Sequence, residues 1–113
     1  MKIITTITDA PKQQHTLVLE NNDTVDFYIE YCPRMQSWYY SFNYKNITQN
    51  CIKVVLTPNS LRHLRRVIPF GLAFISESQV EPFNQDDFLI GRVQLCVLNE
   101  EEVAQIEEEI YND

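Results

Sequence analysis

Glycine is scarce in this chain: Gly71 and Gly91 are the only two among 113 residues. A loop that cradles phosphate needs backbone amides laid bare by glycines, so a nucleotide-binding loop is excluded. No serine stands in a Gly-x-Ser-x-Gly elbow either. Histidine is equally sparse. His15 and His63 lie far from each other and from any cysteine, and His63 reads as a solvated member of a basic turn. The three cysteines, Cys32, Cys51 and Cys96, form no C-x-x-C pair. A metal site takes three or four ligands, and no cluster here supplies them. An odd set of widely spaced thiols reads as small buried apolar side chains, reduced as in a cytosol. Adjacent Asp86 and Asp87 face apart and read as a turn rather than as an acid/base pair. No catalytic constellation emerges, so neither an enzyme nor a cofactor is expected. No apolar run approaches the ~20 residues that span a bilayer, so no membrane-spanning segment is expected. Met1-Lys2-Ile3-Ile4 turns polar at Thr5-Thr6, too early for a signal peptide.

Basic residues are missing from one region. Residues 99–113 hold seven carboxylates and no Lys or Arg, whereas residues 1–98 carry nine acidic and nine basic side chains. The net charge of −7 therefore belongs to the tail, and the body is neutral. A neutral body argues against nucleic acid as a partner, because that affinity rests on neutralising phosphates.

What the chain does have is alternation. Its hydrophobic share of 44%, with 12% aromatics, is that of a folded globular protein. Trp38, Tyr40, Phe42 and Tyr44 fall on one side of an extended strand, with Ser37, Ser41 and Asn43 opposite. The stretch before it, Thr24 to Tyr31, places Val25, Phe27, Ile29 and Tyr31 on one face. Cys32-Pro33-Arg34 joins the two as a hairpin, because Pro33 cannot donate to a ladder. Asn21-Asn22-Asp23 signals a turn from a strand over His15 to Glu20. Lys2 to Ile7 suggests an edge strand, and Cys51 to Leu56, Phe70 to Ile75 and Phe88 to Leu98 three more. In the sixth, Gly71 and Ala73 are expected to face something close; the last is entered through Gly91. Ser60 to Val67 reads as a short helix with Leu61, Leu64 and Val67 on one face, and Ser76 to Asp87 as a polar loop. Asn99 followed by Glu102 is a capping box that opens an acidic helix with a narrow stripe of Val103, Ile106 and Ile110. The fold class expected is mainly β: an antiparallel barrel or sandwich of about seven strands (1–98) with an acidic C-terminal helix (99–113).

Two features carry alternatives. The aromatic row is either core or a base-stacking platform, the latter giving a single-stranded nucleic-acid-binding barrel aided by the basic turn Arg62 to Arg66. Platforms are flanked by Lys and Arg, and only Lys45 is adjacent, which favours core. The cations Arg62, Arg65 and Arg66 are partner contacts, a solvated face, or the counterpart of the acidic tail in the same chain or a neighbour. The acidic helix is either a solvated, charge-rich end or an arm docking on another chain, and its stripe of Val103, Ile106 and Ile110, too narrow to bury alone, favours docking.

The Pro33-Arg34 bend, Trp38-Tyr39-Tyr40-Ser41-Phe42, Phe70-Gly71-Leu72-Ala73 and the closing run from Asp86 to Leu98 together resemble one family. It is the small β-rich baseplate plug proteins of contractile-tailed phages, first named for a cyanophage. The likeness spans roughly residues 15–98, and its motifs are packing and turn residues. Pro33, Arg34, Trp38, Gly91 and Arg92 would carry the fold signature and a possible protein contact. The resemblance implies a non-enzymatic virion part in the tail baseplate, assembled in the host cytoplasm. Its partners would be other baseplate and tail hub proteins, with copies forming a homo-oligomer in a symmetric ring. The Lys45-Asn46-Ile47-Thr48 turn departs from the family's glycine-rich hairpins, and the acidic helix has no counterpart in the pattern.

Overall fold

In the computed structural model, which describes residues 2–19, 21–64 and 67–110, seven strands form two antiparallel sheets. The strands are β1 (Lys2–Ile4), β2 (Lys12–Val18), β3 (Thr24–Cys32), β4 (Ser37–Tyr44), β5 (Ile47–Lys53), β6 (Gly71–Ile75) and β7 (Gln94–Leu98), and one helix follows, α1 (Glu100–Glu109). One sheet has the order β2-β3-β4-β5 and the other β1-β7-β6. The chain passes between them after β5, where Thr57 bridges Phe74 and the Ser60 N–H donates to the Leu72 carbonyl at 2.7 Å. The first strand pairs with the last inside the three-stranded sheet, and the two sheets face each other as a sandwich.

The period-two expectation for β3 and β4 holds. Val25, Phe27 and Ile29 are buried, as are Trp38, Tyr40, Phe42 and Tyr44. The aromatic row fills the space between the sheets. Tyr40 meets Phe74, Phe42 and Tyr44 meet Phe70, and Trp38 meets Phe88, all with ring centroids 5.3–5.8 Å apart. Such tilted and edge-on pairs add about 0.5–1.5 kcal/mol each beyond their area. Side chains sealed there cannot stack on bases, which removes the nucleic-acid-binding alternative.

Several boundaries differ from expectation. β2 begins at Lys12, where the Gln13 amide donates to the carbonyls of Thr8 and Ala10 and ties down the preceding loop. The Glu20 end of the expected strand lies outside the described residues. β5 starts at Ile47, because Lys45 takes the left-handed conformation (φ 52°) and lets a two-residue turn pair Tyr44 with Ile47 at once. A bulge opposite Ser41 then places Cys51 at φ 54°, turned out to solvent. The expectation of a buried Cys51 is therefore corrected. Cys96 is buried and Cys32 half-buried. Of the expected helix after Ser60, the described residues Arg62–Leu64 make a 3-10 turn, residues 65 and 66 lie outside the described residues, and Val67 is exposed. Leu61 alone of the predicted stripe is fully buried. The last strand is half its predicted length, since Asp86 to Gly91 is a turn.

α1 opens with the predicted reciprocal capping box: Asn99 Oδ1 accepts from the Glu102 N–H and Glu102 Oε1 from the Asn99 N–H. Val103 is buried against Ala73, Cys96 and Leu98, with Ile106 beside it. This explains Gly71: a Cβ there would lie 2.7 Å from Asn59 Oδ1 and 3.0 Å from Val103 Cγ2.

Candidate protein-contact surface

The Pro33–Gln36 bend marks one end of the sandwich. Met35 N–H donates to the Cys32 carbonyl at 3.1 Å and Gln36 N–H to the Pro33 carbonyl at 3.3 Å. Gln36 takes φ 48°, turning the chain back so that Ser37 pairs with Cys32. The tight proline turn leaves Arg34 and Met35 projecting into solvent.

Against this end lies the loop between β6 and β7, which has no regular structure and is nonetheless densely bonded. The Trp38 indole N–H donates to the Asn84 carbonyl at 3.1 Å, and the Tyr31 hydroxyl to the Phe83 carbonyl at 2.7 Å. The indole ring packs edge-on against Phe88. A buried indole needs an acceptor for its N–H, and the loop provides it.

Within the loop, the fully buried Asp87 carboxylate is the hub. It accepts from the Phe83 and Asn84 N–H groups at 2.7 and 2.8 Å and takes a two-point contact from Arg92. Arg92 also donates to Ser78 Oγ and to the carbonyls of Val80 and Glu81, and its guanidinium lies 4.6 Å from the Phe83 ring centre. Five donors of one planar fork thus tie three stretches of loop together. Burial alone would push the Asp87 carboxyl up. The Arg92 guanidinium and the two backbone amides outweigh it and hold the carboxyl below the ordinary carboxylate range. Gly91 at φ +81° closes the turn between the paired charges.

The outcome is a rigid loop that presents Val80, Phe83, Leu89 and Ile90 to solvent; Ile90 is 64% exposed and Phe83 43%. Periodicity does not reveal this patch, because the stretch is neither strand nor helix. The available signal was the Asp87/Arg92 spacing across a glycine. Of the signature residues, Trp38, Gly91 and Arg92 act by bracing the loop, while Pro33 and Arg34 stand at the exposed bend beside it.

The other candidate contacts lie toward α1. Arg62 meets Glu107 of the same chain, Nε to Oε1 at 2.8 Å and Nη2 to Oε2 at 3.1 Å, so this cation answers the acidic helix within the chain. Arg65 and Arg66 lie outside the described residues. Val103 and Ile106 pack on the β6–β7 sheet, and Ile110 at the helix end is exposed. Among the described residues no group of His, Cys, Asp and Glu is arranged to hold a metal ion.

Residues 1–101 match the family model described as cyanophage baseplate Pam3 plug gp18. The chain belongs to this family. It is a structural component of the phage tail baseplate, acts through protein contacts with other baseplate proteins, and is not an enzyme. No curated protein matches the chain. The plug family match ends at residue 101, inside the first turn of α1, so most of the acidic helix lies beyond it.

Proposed function

We propose that this plug subunit sits with tail hub proteins at the distal end of the tail tube, closing or lining it until the baseplate rearranges. Copies associate in a symmetric homo-oligomeric ring. Residues 1–98 act as the packing body and 99–113 as an acidic arm appended to it. The observation that carries this proposal is the braced apolar loop beside the Pro33-Arg34 bend. An apolar surface held rigid by a buried ion pair loses little conformational entropy on docking, which suits a permanent contact in an assembled particle. Pro33 and Arg34 belong to this contact end, with Trp38, Gly91 and Arg92 holding it in shape. Among the described residues, no helix is long and apolar enough to cross a membrane.

Labelling tests the placement. A tag on the exposed Ile110 end of α1, imaged in purified tails, should mark the distal tip on the tube axis, and virions lacking the subunit should release their genome early. Label along the sheath, or retained genome in its absence, overturns the assignment.

A further inference from the structure

The three-stranded sheet is apolar on both of its faces. Leu72, Phe74, Leu95 and Val97 point into the core. The opposite face carries Ile3 on β1, Ala73 and Ile75 on β6, and Cys96 and Leu98 on β7, with Gln94 the polar exception. An antiparallel sheet commonly leaves one face polar and solvated, so this second apolar face needs a cover. α1 supplies one over Ala73, Cys96 and Leu98. At its margin Ile3 and Ile75 stay 45% and 39% exposed.

The cover is lightly held. Val103 is the one buried residue of the helix, with Ile106 half-buried beside it. Arg62 and Glu107 join across partly exposed positions, where solvent weakens an ion pair. Glu107, Glu108 and Glu109 crowd the negative end of the helix dipole and oppose the last turn. Asn59 shares the space over Gly71 with Val103. Its Oδ1 accepts from the Leu61 N–H at 3.0 Å, but its buried Nδ2 meets no acceptor among the described residues. A buried donor left unpaired penalises the closed state, and water reaches it once the helix lifts. We propose that α1 is a latch. It lifts as a unit while both sheets stay folded, and when shut it keeps the outer face of the three-stranded sheet from other chains. Its hinge is Asn99, where the chain passes from β7 into the helix with no intervening loop.

Cys96 reports the opening, because its side chain is buried against Val103. With Cys32→Ser and Cys51→Ser in place, iodoacetamide should alkylate Cys96 at a rate nearly independent of dilute urea, since little surface is uncovered on opening. Ile29→Val weakens the other sheet and should leave that rate unchanged. Val103→Ala should raise it about tenfold. Val103→Asp should hold the latch open and bind the apolar dye bis-ANS while keeping the near-ultraviolet circular dichroism of the aromatic core. Arg62→Glu, which repels Glu107 without touching the core, should show both effects in weaker form. Alkylation that climbs with urea as steeply as global unfolding, and speeds up in Ile29→Val, overturns the latch. Faster alkylation without dye binding in Val103→Asp and Arg62→Glu overturns the covering role.

Discussion

Arg92 closes on Asp87 across five residues, its Nε 2.8 Å from Oδ1 and its Nη2 2.6 Å from Oδ2. The carboxylate is fully buried and the guanidinium mostly so. Removing either partner leaves the other charge desolvated, which costs more than the pair itself contributes.

Asp87→Asn and Arg92→Met should therefore each destabilise the protein by about 3 kcal/mol. Arg92→Lys should recover little, since an ammonium cannot reach the carboxylate and three loop acceptors in one plane. Urea denaturation measures the loss, and limited proteolysis should find its first cuts in residues 76–92 of each variant.

Acid should weaken the fold. Asp87 and Asp23 both titrate below the ordinary carboxylate value when folded, Asp87 through Arg92 and two backbone amides against its burial, and Asp23 chiefly through the Tyr44 hydroxyl at 2.6 Å. The unfolded chain binds protons more readily in the interval below pH ~4, so stability is full above that interval and falls as pH drops through it. His15, whose pKa burial lowers, acts in the same direction from its ordinary value of about 6.5 downward. Urea midpoints measured from pH 7 to 3 should decline, and less steeply in Asp87→Asn; a flat profile refutes this.

The two glycines should answer alanine differently. Gly91→Ala meets open space but keeps a positive φ, costing about 1 kcal/mol. Gly71→Ala drives a methyl into Asn59 and Val103 and should cost about 2 kcal/mol. Only the second should also loosen α1, seen as faster amide exchange at Val103 to Ile106.

Arg62 and Glu107 clasp the C-terminal part of α1 to the 3-10 turn with both groups partly exposed. Glu107→Gln should cost no more than ~1 kcal/mol and shrink in high salt. Its clearer signature is local: helix amides beyond Ile106 should exchange faster while those of β3 and β4 do not change.

Much of the fold was legible because local pattern and final burial agree. The faces of β3 and β4 follow from alternation, and the start of α1 from one Asn and one Glu three residues apart. The contact end was not legible. Phe88 and Val93 are both buried, so the run looks like one strand, yet the ion pair between Asp87 and Arg92 folds the intervening residues into a turn. That choice depends on Trp38, nearly fifty residues earlier, offering its N–H to Asn84. Cys51 was misplaced for a similar reason: a bulge shifts the register by one residue and turns its side chain outward. Patterns report the elements that repeat, and this site is built where nothing repeats.

The pairing of β1 with β7 sets an order of events. Lys2 lies opposite Val97, so β1 has no ladder partner until a contact spanning most of the chain forms. The hairpins from β2 to β5 need only short loop closures, and contacts of long sequence separation form slowly. Pulse-labelled exchange during refolding should protect β2–β5 amides first and those of β1, β6 and β7 last. The seat of α1 on Ala73, Cys96 and Leu98 depends on that final closure. A half-folded chain therefore lacks both the seated helix and the braced loop between β6 and β7, and only finished subunits are competent to join a growing assembly.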